Sequence, residues 1–110
     1  MPIQDYLLSK EHVQYWSDFN VKYAGEEYKV YITNLRLLMF KEKGLIFGNE
    51  EIITETWGET TGLQFNEMGK LSRKGQFKFT GSNGEFLLEG PKGGMLGLFK
   101  VIQRQILEPR

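Results

Sequence analysis

The chain has no cysteine. Disulfides, thiolate metal sites and a cysteine nucleophile are therefore excluded. It has one histidine, His12, so a two-histidine metal site is excluded as well. Basic and acidic side chains number 14 each, for a formal net charge of +0. A chain without net charge has no global field to draw it onto nucleic acid. No stretch approaches the roughly 18 apolar residues of a membrane-spanning helix. Asp5 and Lys10 interrupt any apolar run near the N-terminus, so no secretory core is expected there. Position 2 is Pro2, where N-myristoylation needs glycine, and prenylation needs a cysteine. These absences set the expectation of a cytoplasmic protein, at most peripheral to the inner membrane face.

What is present suits one domain spanning all 110 residues. Hydrophobic residues make up 40% and charged residues 25%, ordinary globular usage. At this size about two thirds of the unfolded surface is buried on folding, so a core is possible without staples. Aromatics are 14% of the chain, and most of them must fill that core.

The apolar spacing changes along the chain. Ile3, Tyr6 and Leu7 share one helical turn, which predicts a short helix or arm over residues 1–10. From Val13 the period becomes two. Val13, Tyr15, Ser17, Phe19, Val21 and Tyr23 alternate with polar residues, Trp16 being the exception. This predicts a strand with one buried face. Residues 24–27 supply a turn, and Tyr28, Val30 and Ile32 resume the alternation. Thr33 and Asn34 mark a break. Leu35 to Phe40 then reads as a strand apolar on both faces apart from Arg36. Residues 51–57 are β-rich, and Gly58 and Gly62 bracket a turn or bulge. Leu63 and Phe65 open another strand, and Phe77 and Phe79 lie on one face of the next. Gly81-Ser82-Asn83-Gly84 is a hairpin connection into the last strand. Met95, Leu98, Phe99, Ile102 and Ile106 form one helical stripe over residues 94–108. Gly93, Gly94 and Gly97 each cost about 1 kcal/mol relative to alanine inside a helix, which predicts a late start. The expected fold is mainly β with one C-terminal helix. About seven antiparallel strands over 13–90 form a bent sheet, or partly open barrel, capped by the amphipathic helix.

The run from Val30 to Phe40 contains Thr33-Asn34-Leu35-Arg36-Leu37-Leu38 after an aliphatic residue. It resembles the second-to-third-strand signature of small prokaryotic pleckstrin-homology-like proteins and their GRAM-like relatives. Residues 23–28 are similar to the first hairpin of that family, and the resemblance extends over residues 13–107. It implies a pleckstrin-homology-like fold and a binding or scaffolding role, with no catalysis and no cofactor. Eukaryotic members hold phosphoinositide headgroups with a lysine near the end of strand one and a Lys/Arg-x-Arg on strand two. Here Lys22 and Lys29 take the first two places. Tyr31 stands where the final arginine would be, and Glu26 and Glu27 in the turn repel phosphate.

Charge is balanced overall but unevenly spread. Residues 1–60 hold six basic against ten acidic side chains, and residues 61–110 hold eight against four. Lys70, Arg73, Lys74 and Lys78 form a basic cluster that could meet an anionic lipid surface, at about 1 kcal/mol per cation. As a solvated strand face it would instead be offset by the acidic stretch 50–59 across the sheet. Leu45, Ile46 and Phe47 lie in a glycine-bounded loop, where they could contact a partner or a membrane interface. Thr33 and Asn34 read as turn-holding residues, and Arg36 as a buried cation in need of a carboxylate or a carbonyl. His12 has no nucleophile near it in sequence. Glu50, Glu51 and Glu55 lack the spacing of a calcium loop. Residues 90–94 lack the Lys-Ser/Thr of a phosphate loop and read as a strand-to-helix joint. Trp16 breaks a polar face, and Trp57 reads as core. The leading expectation is a non-catalytic module that binds a protein partner or itself. A bent sheet exposes an edge that can accept a strand, and Leu45 to Phe47 offer an apolar anchor. The alternative is peripheral binding to anionic membranes. No nucleic acid, metal, cofactor or small-molecule substrate is expected.

Overall fold

The computed structural model describes residues 3–42, 50–67, 73–82 and 84–107. After a 3₁₀ turn at Ile3–Tyr6 come eight strands: β1 (Val13–Trp16), β2 (Val21–Tyr23), β3 (Glu26–Thr33), β4 (Arg36–Glu42), β5 (Glu50–Thr56), β6 (Thr61–Glu67), β7 (Lys74–Gly81) and β8 (Gly84–Pro91). A second 3₁₀ turn, Trp57–Glu59, joins β5 to β6, and helix α1 (Lys92–Leu107) ends the described chain. Seven strands follow one antiparallel path, β5-β4-β3-β2-β8-β7-β6, and β1 pairs beside it on β3. The path curls into a half-barrel with α1 packed against it. This is the mainly β class, with a C-terminal helix, that the apolar spacing predicts.

The first predicted strand is broken in two, and the reason is local. A register shift between Val13 and Tyr15 sends these residues to opposite sides, Val13 to an outer cluster and Tyr15 to the main core. Ser17 then closes the ladder at the bend. Its N–H donates to the Val30 carbonyl at 2.8 Å, and its hydroxyl accepts the Val30 N–H at 2.9 Å. Beyond the bend β2 pairs with β3 on one side and with β8 on the other, joining the two halves of the sheet. The β2–β3 loop is Ala24-Gly25, with φ of 52° and 81°. Positive φ at both loop residues matches the twist of the flanking strands.

Phe77, Phe79 and Leu88 face inward beside Val30, Ile32 and Met39, all nearly inaccessible. Phe79 stacks on Phe86 at 4.9 Å between ring centroids. Met95, Leu98 and Ile102 of α1 close this core. The helix starts at Lys92, two residues earlier than the glycines suggest. A Cβ on Gly94 would run into the Phe19 ring, and one on Gly97 would lie 3.1 Å from the Tyr15 hydroxyl. The helical cost of these glycines is offset by close approach of aromatics from the first strand region.

The two-sided apolar character of β4 has a second destination. Leu38 and Phe40 point outward, where Tyr6, Leu7, Val13, Tyr31 and Ile52 pack over them. Residues 3–12 thus lie over the outer face of β3 and β4 as a strap. At the β5–β6 corner, Trp57 is buried and donates its indole N–H to the Thr33 carbonyl at 2.9 Å. Glu55 accepts the Ser82 N–H at 2.9 Å and the Ser82 hydroxyl at 3.0 Å. Among the described residues no helix is long and apolar enough to cross a membrane.

Candidate functional site

Thr33, Asn34 and Arg36 hold the strap. The Thr33 hydroxyl accepts the N–H groups of Leu35 and Arg36 at 3.1 and 3.0 Å and donates to Glu11 at 2.7 Å. Asn34 accepts the His12 N–H at 2.8 Å and donates to the Lys10 carbonyl at 3.1 Å. Arg36 grips both Glu11 oxygens, at 2.8 Å from Nε and 3.0 Å from one terminal nitrogen, and that nitrogen also reaches the Tyr6 carbonyl at 2.9 Å. The Glu11 side chain is fully buried. Burial alone would raise its pKa. The bonds from Arg36, the Leu8 N–H and Thr33 outweigh that and lower it from 4.5 to about 2. Among the described residues this is an internal latch, with its donors turned onto its own carboxylate.

Lys22 and Lys29 share the outer face of the first hairpin, with Glu27 between them. A groove of about 500 Å³ runs past Asn20, Glu27, Lys29, Tyr31, Phe40 and Lys41. A second of about 300 Å³ brings Lys22 next to Lys74, with Glu27 and Glu89 in its wall. Trp16, 61% exposed, stands opposite Tyr31. Sequence reasoning missed Lys41. Its side chain is buried, lies over the Tyr28 ring and pairs with Glu26 at 2.5 Å and Glu51 at 3.3 Å. The hydrogen bond to Glu26 leads in raising the Lys41 pKa. Burial, then the bond to Glu51, raises that of Tyr28, whose hydroxyl donates to Glu51 at 3.2 Å.

In the basic cluster, Arg73 and Lys74 are exposed and Lys78 is half-buried. Lys70 and the Leu45-Ile46-Phe47 loop lie outside the described residues. The acidic stretch 50–59 does not oppose this cluster, because β5 pairs with β4 at the far end of the sheet path. A nearby acid, besides Glu27 in the groove wall, is Glu89 of β8. It lies directly opposite Lys22 and Gln76, which makes it a diagonal neighbour of Lys74 and Lys78. Glu55 and Glu51 serve Ser82 and Tyr28. Gly90 and Pro91 end β8, and residues 92–94 are the first turn of α1, where the Lys92 N–H donates to the Arg73 carbonyl at 2.6 Å. His12 is exposed. Among the described residues no group of three potential metal ligands occurs.

The feature least visible in sequence is the margin of the sheet beside α1. β6 is the last strand of the path and, among the described residues, pairs only with β7. Gly62, with φ of +69°, takes the irregularity between Thr61 and Gln64, as a bulge position requires. Leu63 and Phe65 are nonetheless half-buried in the main core, and Phe65 meets Phe99 of α1 at 5.4 Å. A groove of about 250 Å³ opens between strand and helix, lined by Thr61, Gly62, Leu63, Gln103, Ile106 and Leu107. Leu107 is 72% exposed at its mouth. Chemically, this site offers a strand edge that no described strand covers, next to apolar surface. Compared with known proteins, the chain matches no family model and no curated protein.

Proposed function

We propose that this chain is a non-catalytic binding module of pleckstrin-homology-like architecture that takes an extended segment of a protein partner as an added strand on β6. The observation that carries this is the coincidence of a terminal strand with an apolar groove: β6 ends the sheet while Leu63, Ile106 and Leu107 line a channel beside it. Main-chain bonds along such an edge supply affinity, and side-chain pockets supply selectivity. The strand order and the helix position support the architectural part.

The test is selection from a displayed library of extended peptides, followed by amide hydrogen exchange on the complex. Selected peptides should slow exchange in β6 and shift the Leu63, Ile106 and Leu107 methyl signals. Peptides that bind elsewhere, or a library that yields none, would sink the proposal. Self-association through the same edge would appear as a concentration-dependent mass in light scattering.

A second reading has its own support, since Lys22 and Lys74 converge on one groove with Arg73 exposed nearby. In it the module meets anionic membrane. Sedimentation with anionic and neutral vesicles at two salt concentrations decides the matter. Binding confined to anionic vesicles and fading with salt would favour it. Equal or no binding would remove it.

A further inference from the structure

We infer that the segment received by the β6 edge carries, on its groove-facing side, an apolar, an acidic and an apolar residue at alternate positions. This rests on the strand-addition proposal above and names its partner by chemistry.

Strand and helix run in opposite directions along the groove, because Leu63 lies by Ile106 and Phe65 lies by Phe99. At about 100° per residue, the helical positions next outward from Phe99, Gln103 and Ile106 are Leu96, Lys100 and Leu107. All three are exposed, Leu96 at 37% and Leu107 at 72%. The outer rim of the groove is therefore leucine, lysine, leucine. Helical rise puts Lys100 about 6 Å beyond Leu96 and Leu107 about 10 Å further on. Side chains on one face of an added strand repeat every 6.6 Å or so. The first would lie over Leu96, the second at Lys100 and the third between Gln103 and Leu107. Charge fixes the middle one. Helix α1 carries Lys92, Lys100 and Arg104 and no acidic residue. On β6, Gln64 and Asn66 are neutral, and the strand's one acid, Glu67, sits at its far end opposite Gly75, beside the start of α1 at Lys92 and not at Lys100. The helix dipole disfavours an anion at the C-terminal end, by Leu107, and so leaves Lys100 as the place for it.

The probes are the peptide Ser-Leu-Thr-Glu-Thr-Leu-Ser and two relatives with glutamine or lysine in place of glutamate. Each is titrated to millimolar concentration against the full chain. Affinity is read from amide NMR shifts and location from hydrogen exchange in β6. The glutamate peptide should bind about fivefold more tightly than the lysine peptide, the size of an exposed ion pair. Lys100→Glu should reverse that order, and its amide spectrum away from the groove should match the parent, showing an intact fold. Serine in place of both peptide leucines should abolish binding. Equal affinity of all three peptides, with β6 protected, would overturn this inference and leave strand addition standing. No protection of β6 by any peptide would overturn both.

Discussion

Two apolar surfaces of the half-barrel, the outer face of β3 and β4 and the margin between β6 and α1, are treated differently by the chain. On the outer face of β3 and β4, Leu38 and Phe40 are covered by the strap of residues 3–12, and the Glu11–Arg36 pair locks it down. Along β6 and α1, Leu63, Ile106 and Leu107 border a groove that no described segment fills. The first surface is closed from within by Tyr6 and Leu7 of the strap, packed beside Val13, Tyr31 and Ile52 of the sheet, and by the pair of Arg36 with buried Glu11. The second keeps both its apolar lining and a strand edge that no described strand covers. A chain that can spend ten residues closing one apolar face shows that closure is available to it. The open margin is therefore the better place to seek a partner.

The largest effect should come from breaking the latch. Arg36→Met leaves the fully buried Glu11 carboxylate without its cation. Removing one member of a buried pair costs about 3 to 4 kcal/mol. Urea unfolding should show that loss. Adding Glu11→Gln to the same chain should recover part of it, because the uncompensated charge goes too. A loss under about 1 kcal/mol would mean that the strap is not held by this pair.

Acid should open the same side next. Glu11 titrates at about 2 in the folded chain against an ordinary 4.5. The folded state binds fewer protons than the unfolded one, so the contribution is complete above about pH 4.5. It falls away as pH drops toward 2, by about 3 kcal/mol in total. Stability measured across that window should decline, and Glu11→Gln should flatten the decline. The β6 groove has no buried carboxylate in its lining, so the amide signals of β6 should change less than those of residues 3–12. Leu38→Ala should then cost about 2 to 3 kcal/mol, as for a core leucine, although Leu38 points away from the main core.

How far these two regions were legible in sequence follows from the range of the contacts. Phe77 and Phe79 announced a buried strand face because alternation is local. The break at Ser17 was hidden because Val13 and Tyr15 look like one alternating face, and the register shift depends on pairing with β3. Arg36 visibly needed a partner in its apolar strand. Its choice of Glu11, 25 residues away, depends on where the strap lies. Opposition of the acidic stretch 50–59 to the basic cluster is a strand-order question that sequence does not answer, and the order places β5 at the far end of the path. That a bent sheet exposes an edge is legible in sequence; that β6 is such an edge is not, for the same reason, since Leu63 and Phe65 read as ordinary core. The available signal was on the helix. Leu96 and Leu107 fall outside the stripe that contains Met95, Leu98 and Ile102, so the helix carries leucines its own core does not use.

The smallest stability effect belongs to the open side. Leu107→Ser removes a side chain that is 72% exposed, so the cost should stay within about 0.5 kcal/mol in the same urea titration. Binding of an extended peptide at β6 should nevertheless weaken, because the mouth of the groove loses its apolar wall. Stability and binding should thus separate at Leu107 and stay joined at Leu38. If Leu107→Ser costs as much stability as Leu38→Ala, the helix end is part of the core and the two regions differ only in degree. If it costs little and peptide binding is also unchanged, the groove mouth takes no part in recognition. Loss of binding with the fold intact is the outcome that marks the β6 margin as a surface kept open for a partner.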